Sequence, residues 1–77
     1  MDFVTEYRAI GLNIAYYRKL RGLTQLQLAE LVNISRTHLS NIEASNAHAS
    51  MSLDVLLSIA GALDIPAYKL LIFPEEI

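Results

Sequence analysis

A chain of 77 residues, 53% of them apolar and 18% charged, has the composition of one small globular domain and not that of a disordered segment. It contains no cysteine, which excludes a disulfide framework and thiolate metal sites, and no apolar run approaches the roughly 20 residues that a membrane span needs. Because Asp2 and Glu6 lie where a signal peptide would carry positive charge, we expect a cytoplasmic protein.

The first predicted helix covers residues 5–21. Thr5 is a candidate N-cap, and Gly22 follows the helix at the position where a left-handed residue ends it. Four residues at helical spacing share the face that we expect to be buried: Tyr7, Ile10, Ile14 and Tyr17.

Residues 24–43 are predicted to form two short helices joined by a tight turn. Thr24 caps the first helix, Asn33 tolerates the left-handed conformation at its end, and Ser35 caps the second. The predicted buried residues are Leu28, Ala29, Val32, Ile34, Leu39 and Ile42. The second helix leaves five side chains pointing outward: Arg36, Thr37, His38, Ser40 and Asn41. An exposed helix face of this kind suits the major groove of DNA, where these side chains can read base edges or hold phosphates.

The rest of the chain predicts a loop over residues 44–51 and two further helices. Ser52 caps the fourth helix, which Asp64 ends, and Pro66 fits the first turn of a fifth helix, Ala67 to Phe73. The inward-facing residues of the fourth helix are predicted to be Leu53, Leu56, Leu57, Ala60 and Leu63. We therefore expect an all-α fold of five short helices around one core.

The spacing T-Q-x-x-L-A-x-x-x-x-I-S-x-x-x-L-S-x-I-E at residues 24–43 resembles the helix-turn-helix of the Cro and phage-repressor (Xre-type) DNA-binding family. The resemblance extends over about residues 10–72. It implies a five-helix, lambda-repressor-like DNA-binding domain that fills residues 1–77, with close helix packing at Gly11.

The same resemblance implies roles for individual residues. Base contacts are expected from Arg36, Thr37 and Asn41, whose side chains match guanine, thymine and adenine edges, and Gln25 matches the family's phosphate-binding glutamine. Further phosphate contacts are expected from His38 and Ser40, which lie beside the base-contact residues, and from Asn46 in the loop. Arg18 and Glu43 resemble the internal ion pair that orients the recognition helix in the family. In place of the family's basic loop, residues 44–51 offer only Asn46 and His48, which indicates weaker non-specific binding and a smaller salt dependence.

Charge is distributed unevenly along the chain. Residues 1–36 carry five of the six basic residues and three acids, whereas residues 37–77 carry one base and five acids, within a net charge of −2. This asymmetry fits a chain that turns one face toward nucleic acid and another away from it.

The chain has more large apolar side chains than a core of this size can bury. We expect residues 66–77 to provide a homodimer surface, chiefly through Tyr68, Leu71, Ile72 and Phe73, whereas Leu70 closes the core. The pattern leaves open what Leu20, Leu26 and Leu31 do.

No enzyme motif is found. His38 and His48 lack metal-ligand spacing, and the sequence has neither a nucleophile elbow nor a P-loop. The function that we expect is that of a sequence-specific transcriptional regulator, repressor-like and without metal or cofactor, which binds double-stranded DNA as a dimer on an inverted repeat. The alternative is a protein-interaction module, or an antitoxin-type partner protein, that uses the same fold on another protein.

Overall fold

The computed structural model describes residues 3–44 and 51–73, and every regular element within these ranges is a helix. Its elements are α1 (Val4–Leu20), α2 (Gln25–Leu31), α3 (Arg36–Ala44), α4 (Leu53–Ala62) and a C-terminal 3-10 helix (Ala67–Leu71). The predicted loop falls largely on residues 45–50, which lie outside the described residues. None of the helices in the described ranges has the length and apolar character needed to cross a membrane.

Three of the helices end in the same hydrogen-bond pattern. A residue with positive φ follows each of them: Gly22 (71°) after α1, Asn33 (58°) after α2 and Asp64 (56°) after α4. In each case its amide and the next one donate back into the last helical turn, as in a Schellman motif. The residue after the turn is apolar each time and packs against the core, so that each helix end also anchors the chain: Leu23, Ile34 and Ile65.

Helix starts follow the sequence prediction at α2, α3 and α4 but not at α1. The Ser52 hydroxyl accepts a hydrogen bond from the Val55 amide (3.1 Å), which confirms the predicted cap of α4. The predicted cap at Thr5 is wrong, because α1 begins one residue earlier, at Val4, and its N-cap Phe3 has no hydroxyl or amide to offer.

The core lies between α1, α3, α4 and the 3-10 helix, with α2 covering one side. Its fully buried large side chains are Ile14, Leu28, Leu39, Ile59, Leu63 and Leu70. Three residues predicted to face inward are instead exposed: Tyr7, Leu53 and Leu57. Tyr7 and Leu53 occupy the first turns of their helices, beyond the packed region, and Leu57 lies to one side of the buried stripe of α4, which is Leu56, Ile59 and Ala60.

Two long-range side-chain contacts fix the second half of the chain on α1. Arg21 donates from Nε to the carbonyl oxygen of Leu63 (2.8 Å) and from Nη2 to that of Asp64 (3.2 Å). A cation at this position satisfies and stabilises the C-terminus of α4. Asn13 donates from Nδ2 to the carbonyl oxygens of Leu70 (3.1 Å) and Ile72 (3.0 Å) and so holds the 3-10 helix against α1.

The five-helix expectation is not confirmed, because the last element is a single stretch of 3-10 helix. Its first bond joins the Lys69 amide to the carbonyl of Pro66 (3.1 Å), a three-residue closure. Pro66 is its N-cap, and Ile72 is already extended (φ −83°, ψ 120°), so that the helix is shorter than predicted. The side chain of Asn13 donates to the carbonyl oxygens of both Leu70 and Ile72. These two carbonyl groups are therefore satisfied without the hydrogen bonds that a longer helix would supply.

Candidate nucleic-acid interface

Local hydrogen bonds cap the starts of both helices of the motif, α2 and α3. Thr24 accepts from the Gln27 amide (3.1 Å), and the Gln27 side chain accepts from the Thr24 amide (2.8 Å), a complete capping box. The Ser35 hydroxyl accepts from the His38 amide (2.9 Å) at the start of α3. The predicted caps at Thr24 and Ser35 are therefore confirmed.

Helix α3 has a buried side and an accessible side. Leu39, Ile42 and Glu43 are buried, and Arg36 and Thr37 at its first turn are exposed. Three further candidates for DNA contact are half-buried and not fully outward-facing as predicted: His38, Ser40 and Asn41. Arg36 and Thr37 are therefore the most exposed of the five predicted contact residues on this helix.

Arg18 of α1 and Glu43 of α3 form a bidentate ion pair beneath the accessible side. Arg18 donates from Nε to Oε2 (2.7 Å) and from Nη2 to Oε1 (3.0 Å), and the two side chains are only 10% and 6% exposed. Nη1 of Arg18 also donates to the carbonyl oxygen of Leu23 (2.8 Å), in the turn before α2. This geometry ties the last turn of α3 to α1 and to the start of the helix-turn-helix.

Gln25 is not a free polar residue at the start of α2. Its side-chain nitrogen Nε2 lies 3.1 Å from Oε1 of Glu43 and donates to it. Gln25 is half-buried, and one of its two amide hydrogens is thereby already engaged within the protein. The predicted phosphate contact therefore has to be made by the second hydrogen on Nε2.

Of the five basic residues counted in residues 1–36, two are already bonded within the protein. Arg18 is buried in its ion pair, and Arg21 donates to the C-terminus of α4. Arg8, Lys19 and Arg36 are exposed, and so is Arg21 despite its hydrogen bonds. The burial of Arg18 therefore reduces the accessible positive charge of residues 1–36 by one, from five cations to four.

The predicted phosphate contact Asn46, like His48, lies outside the described residues. The predicted dimer residues are all exposed on and after the 3-10 helix: Tyr68 (62%), Leu71 (44%), Ile72 (57%) and Phe73 (36%). Leu70 between them is completely buried, as predicted.

Sequence reasoning missed three residues that build this site and its support. Gln27 had a local signal, since a glutamine three residues after a threonine cap is the signature of a capping box. Arg21 and Asn13 had none, because their partners lie 42 to 59 residues away along the chain.

Comparison with known proteins places this geometry in a family. The profile of the helix-turn-helix family matches residues 14–70. Over 56 residues the chain is 46% identical to the immunity repressor protein of Bacillus phage phi105, which covers 73% of this chain and 38% of that protein. The chain thus spans well under half the length of this relative.

Solved structures show the same fold. The restriction-modification controller protein C.AhdI from Aeromonas hydrophila superposes with a TM-score of 0.77 at 30% identity, over 83% of this chain and 94% of that one. The master regulator for biofilm formation SinR, solved in complex with DNA, superposes with a TM-score of 0.73 at 33% identity, over 82% and 98%. The profile match covers most of the chain and includes α2, the turn and α3, and the chain belongs to the helix-turn-helix family.

Proposed function

We propose that the protein is a sequence-specific DNA-binding transcriptional regulator that places α3 in the major groove. The observation that carries this proposal is the two-sided character of α3. Leu39 and Ile42 fix its back in the core, while Arg36 and Thr37 extend from its first turn into solvent. The first turn of a recognition helix is the part that reaches base edges in this docking mode. The names of the relatives, a phage repressor and a regulator solved with DNA, support the same function.

In this proposal Arg36, Thr37 and Asn41 contact bases, and Gln25, His38, Ser40 and Asn46 contact phosphates. Arginine can donate two hydrogen bonds to one guanine, which makes Arg36 the main source of base preference. Phosphate contacts fix the register of the protein on DNA without reading the sequence directly. The regulator acts in a repressor-like manner, by occupying its site.

The proposal includes a symmetric dimer made through the 3-10 helix and the residues that follow it. Tyr68, Leu71, Ile72 and Phe73 are exposed around one buried anchor, Leu70. A two-fold axis pairs such a patch with its own copy and presents two recognition helices to one side. Helices spaced about 34 Å apart, one turn of B-DNA, would bind an inverted repeat.

The test is a selection of duplexes from a random pool, followed by titration of the selected site with two variants. Arg36→Ala should cost about 1–3 kcal/mol on the selected duplex and relax the preference at one base pair. Arg8→Ala removes the same charge from an exposed position on α1 and should leave base preference unchanged. Equal losses on every duplex would make Arg36 a phosphate contact, and a wild-type protein without preference among duplexes would contradict the function.

A second candidate function is supported by a separate observation. Leu20 at the end of α1 and Leu26 and Leu31 in α2 are 61%, 51% and 62% exposed. Exposed apolar side chains that form one patch are typical of protein-binding surfaces, so that a protein-interaction module is the alternative. The same titration separates the two functions, because such a module would show no duplex preference.

A further inference from the structure

Three helices meet at one buried carboxylate, that of Glu43. Its Oε2 accepts from Nε of Arg18 (2.7 Å), and its Oε1 accepts both from Nη2 of Arg18 (3.0 Å) and from Nε2 of Gln25 (3.1 Å). The ion pair alone would join α1 to α3. The third donor, Nε2 of Gln25, connects α2 to the same carboxylate, and Gln25 is the residue that is proposed to hold a phosphate.

We propose that Glu43 is a positioning residue for DNA binding, which acts by orienting the side chain of Gln25. This inference rests on the proposed function, since it assumes that Gln25 contacts a phosphate. It assigns Glu43 an effect on affinity in addition to its structural bond with Arg18.

The chemistry of the amide group makes the orientation specific. The nitrogen of Gln25 has to face Glu43, because the amide oxygen would be repelled by the carboxylate. A phosphate oxygen can only accept, so it can be held by the second hydrogen on the same nitrogen. Since both hydrogens lie in one rigid plane, the bond to Glu43 determines where the second one points.

The charge balance of the cluster permits a phosphate to approach. An unpaired carboxylate beside Gln25 would repel an anion, but Arg18 neutralises Glu43 through both of its oxygens. The bond to Glu43 also orders a flexible side chain during folding, so that less rotamer freedom is lost when DNA binds.

The experiment is a double-mutant cycle on the selected duplex, read as affinity and base preference at a temperature where every variant is folded. Gln25→Met keeps the side-chain length, removes the amide and should weaken binding to every duplex about tenfold or more, as expected for a lost hydrogen bond to a charged group. Its slope of affinity against salt should stay unchanged, because an amide displaces no counterion. Glu43→Gln keeps an acceptor oxygen but can also turn its own NH₂ group toward Gln25, so that the orientation of Gln25 is no longer fixed and affinity should fall. The double variant should bind no more weakly than Gln25→Met alone.

A second set of variants tests the same inference if Glu43→Gln does not fold. The pair Arg18→Met and Glu43→Leu replaces the ion pair with apolar groups of similar size, a change that proteins often tolerate. In that background Gln25→Met should have little further effect on affinity.

The outcomes separate this inference from the function on which it rests. The inference is overturned if the losses of affinity from Gln25→Met and from the changes at Glu43 add independently in both sets of variants. It is also overturned if Glu43→Gln changes the base preference, because Glu43 would then act by tilting α3. If Gln25→Met binds like the wild type, the phosphate contact is wrong and the inference fails with it. If the wild type binds no duplex, the proposed function itself fails.

Discussion

The backbone of Gly11 in α1 lies directly against the carbonyl group of Glu43 in α3. A methyl group added to Gly11 would lie 2.9 Å from the Glu43 carbonyl oxygen, and it would also clash with the carbonyl of Ile42. Both obstacles are backbone atoms, which cannot rotate away as a side chain can. The close packing that the family resemblance implies at Gly11 is therefore confirmed, and it fixes the last turn of α3 on α1.

Gly11→Ala should destabilise the protein by about 1–3 kcal/mol, because α1 and α3 must move apart. Alanine alone would favour the helix by about 1 kcal/mol, so the measured loss is a net value. Gly61→Ala is the matched control, since nothing lies within 4 Å of its added methyl group in α4 and the change should be neutral or stabilising. Denaturant melts of both variants give the comparison, and equal effects would contradict the close approach.

Glu43→Ala should lower the free energy of unfolding by about 3–5 kcal/mol, because it leaves the buried guanidinium of Arg18 without its partner. Adding Arg18→Leu to the same protein should recover part of this loss, since the uncompensated charge is then removed. Urea melts of the four proteins in the cycle measure the interaction. Strictly additive effects would mean that the two side chains do not stabilise each other.

Asn13→Ala should loosen the C-terminal segment more than the core. Two hydrogen bonds to the carbonyls of Leu70 and Ile72 are lost, which corresponds to about 0.5–1.5 kcal/mol each. Amide hydrogen exchange should accelerate in residues 67–73 while the buried part of α4 keeps its protection. Uniform acceleration across the helices would instead show that Asn13 supports the whole fold.

Ile72→Glu should produce monomers that remain folded. Ile72 is 57% exposed, so the charge is hydrated in the monomer but would be buried against its copy in the proposed dimer. Sedimentation should show the loss of association, and affinity for the inverted repeat should fall because each half-site then binds separately. A wild-type protein that stays monomeric at high micromolar concentration would remove the dimer from the proposal.

Local chemistry explains what could be predicted from the sequence. The left-handed residues Gly22 and Asn33 and the hydroxyl caps Thr24 and Ser52 act within a few residues of their own positions, so that a short window contains the whole signal. The buried stripes of α2 and α3 follow from helical periodicity in the same way.

Contacts between distant segments explain the errors. Periodicity does not show where a helix extends past its neighbours, which is why Leu53 was expected to face inward but is 67% exposed. The 3-10 helix depends on Asn13, and the engagement of Gln25 depends on Glu43, 18 residues away. The residues that resemble the family's DNA contacts and the ion pair of Arg18 with Glu43 could be named from the sequence, but the bond of Gln25 to Glu43 could not.

The bond between Arg21 and the C-terminus of α4 bears on how the protein would search a genome. Of the six cations in these 77 residues, Arg18 is buried in its ion pair, and Arg21, although exposed, donates to the backbone carbonyls of Leu63 and Asp64. Binding to arbitrary DNA depends on cations that displace counterions from phosphates, and sliding along the duplex depends on the same contacts. We therefore expect brief encounters with random DNA, a search mostly by diffusion through solution, and a large free fraction available to its site.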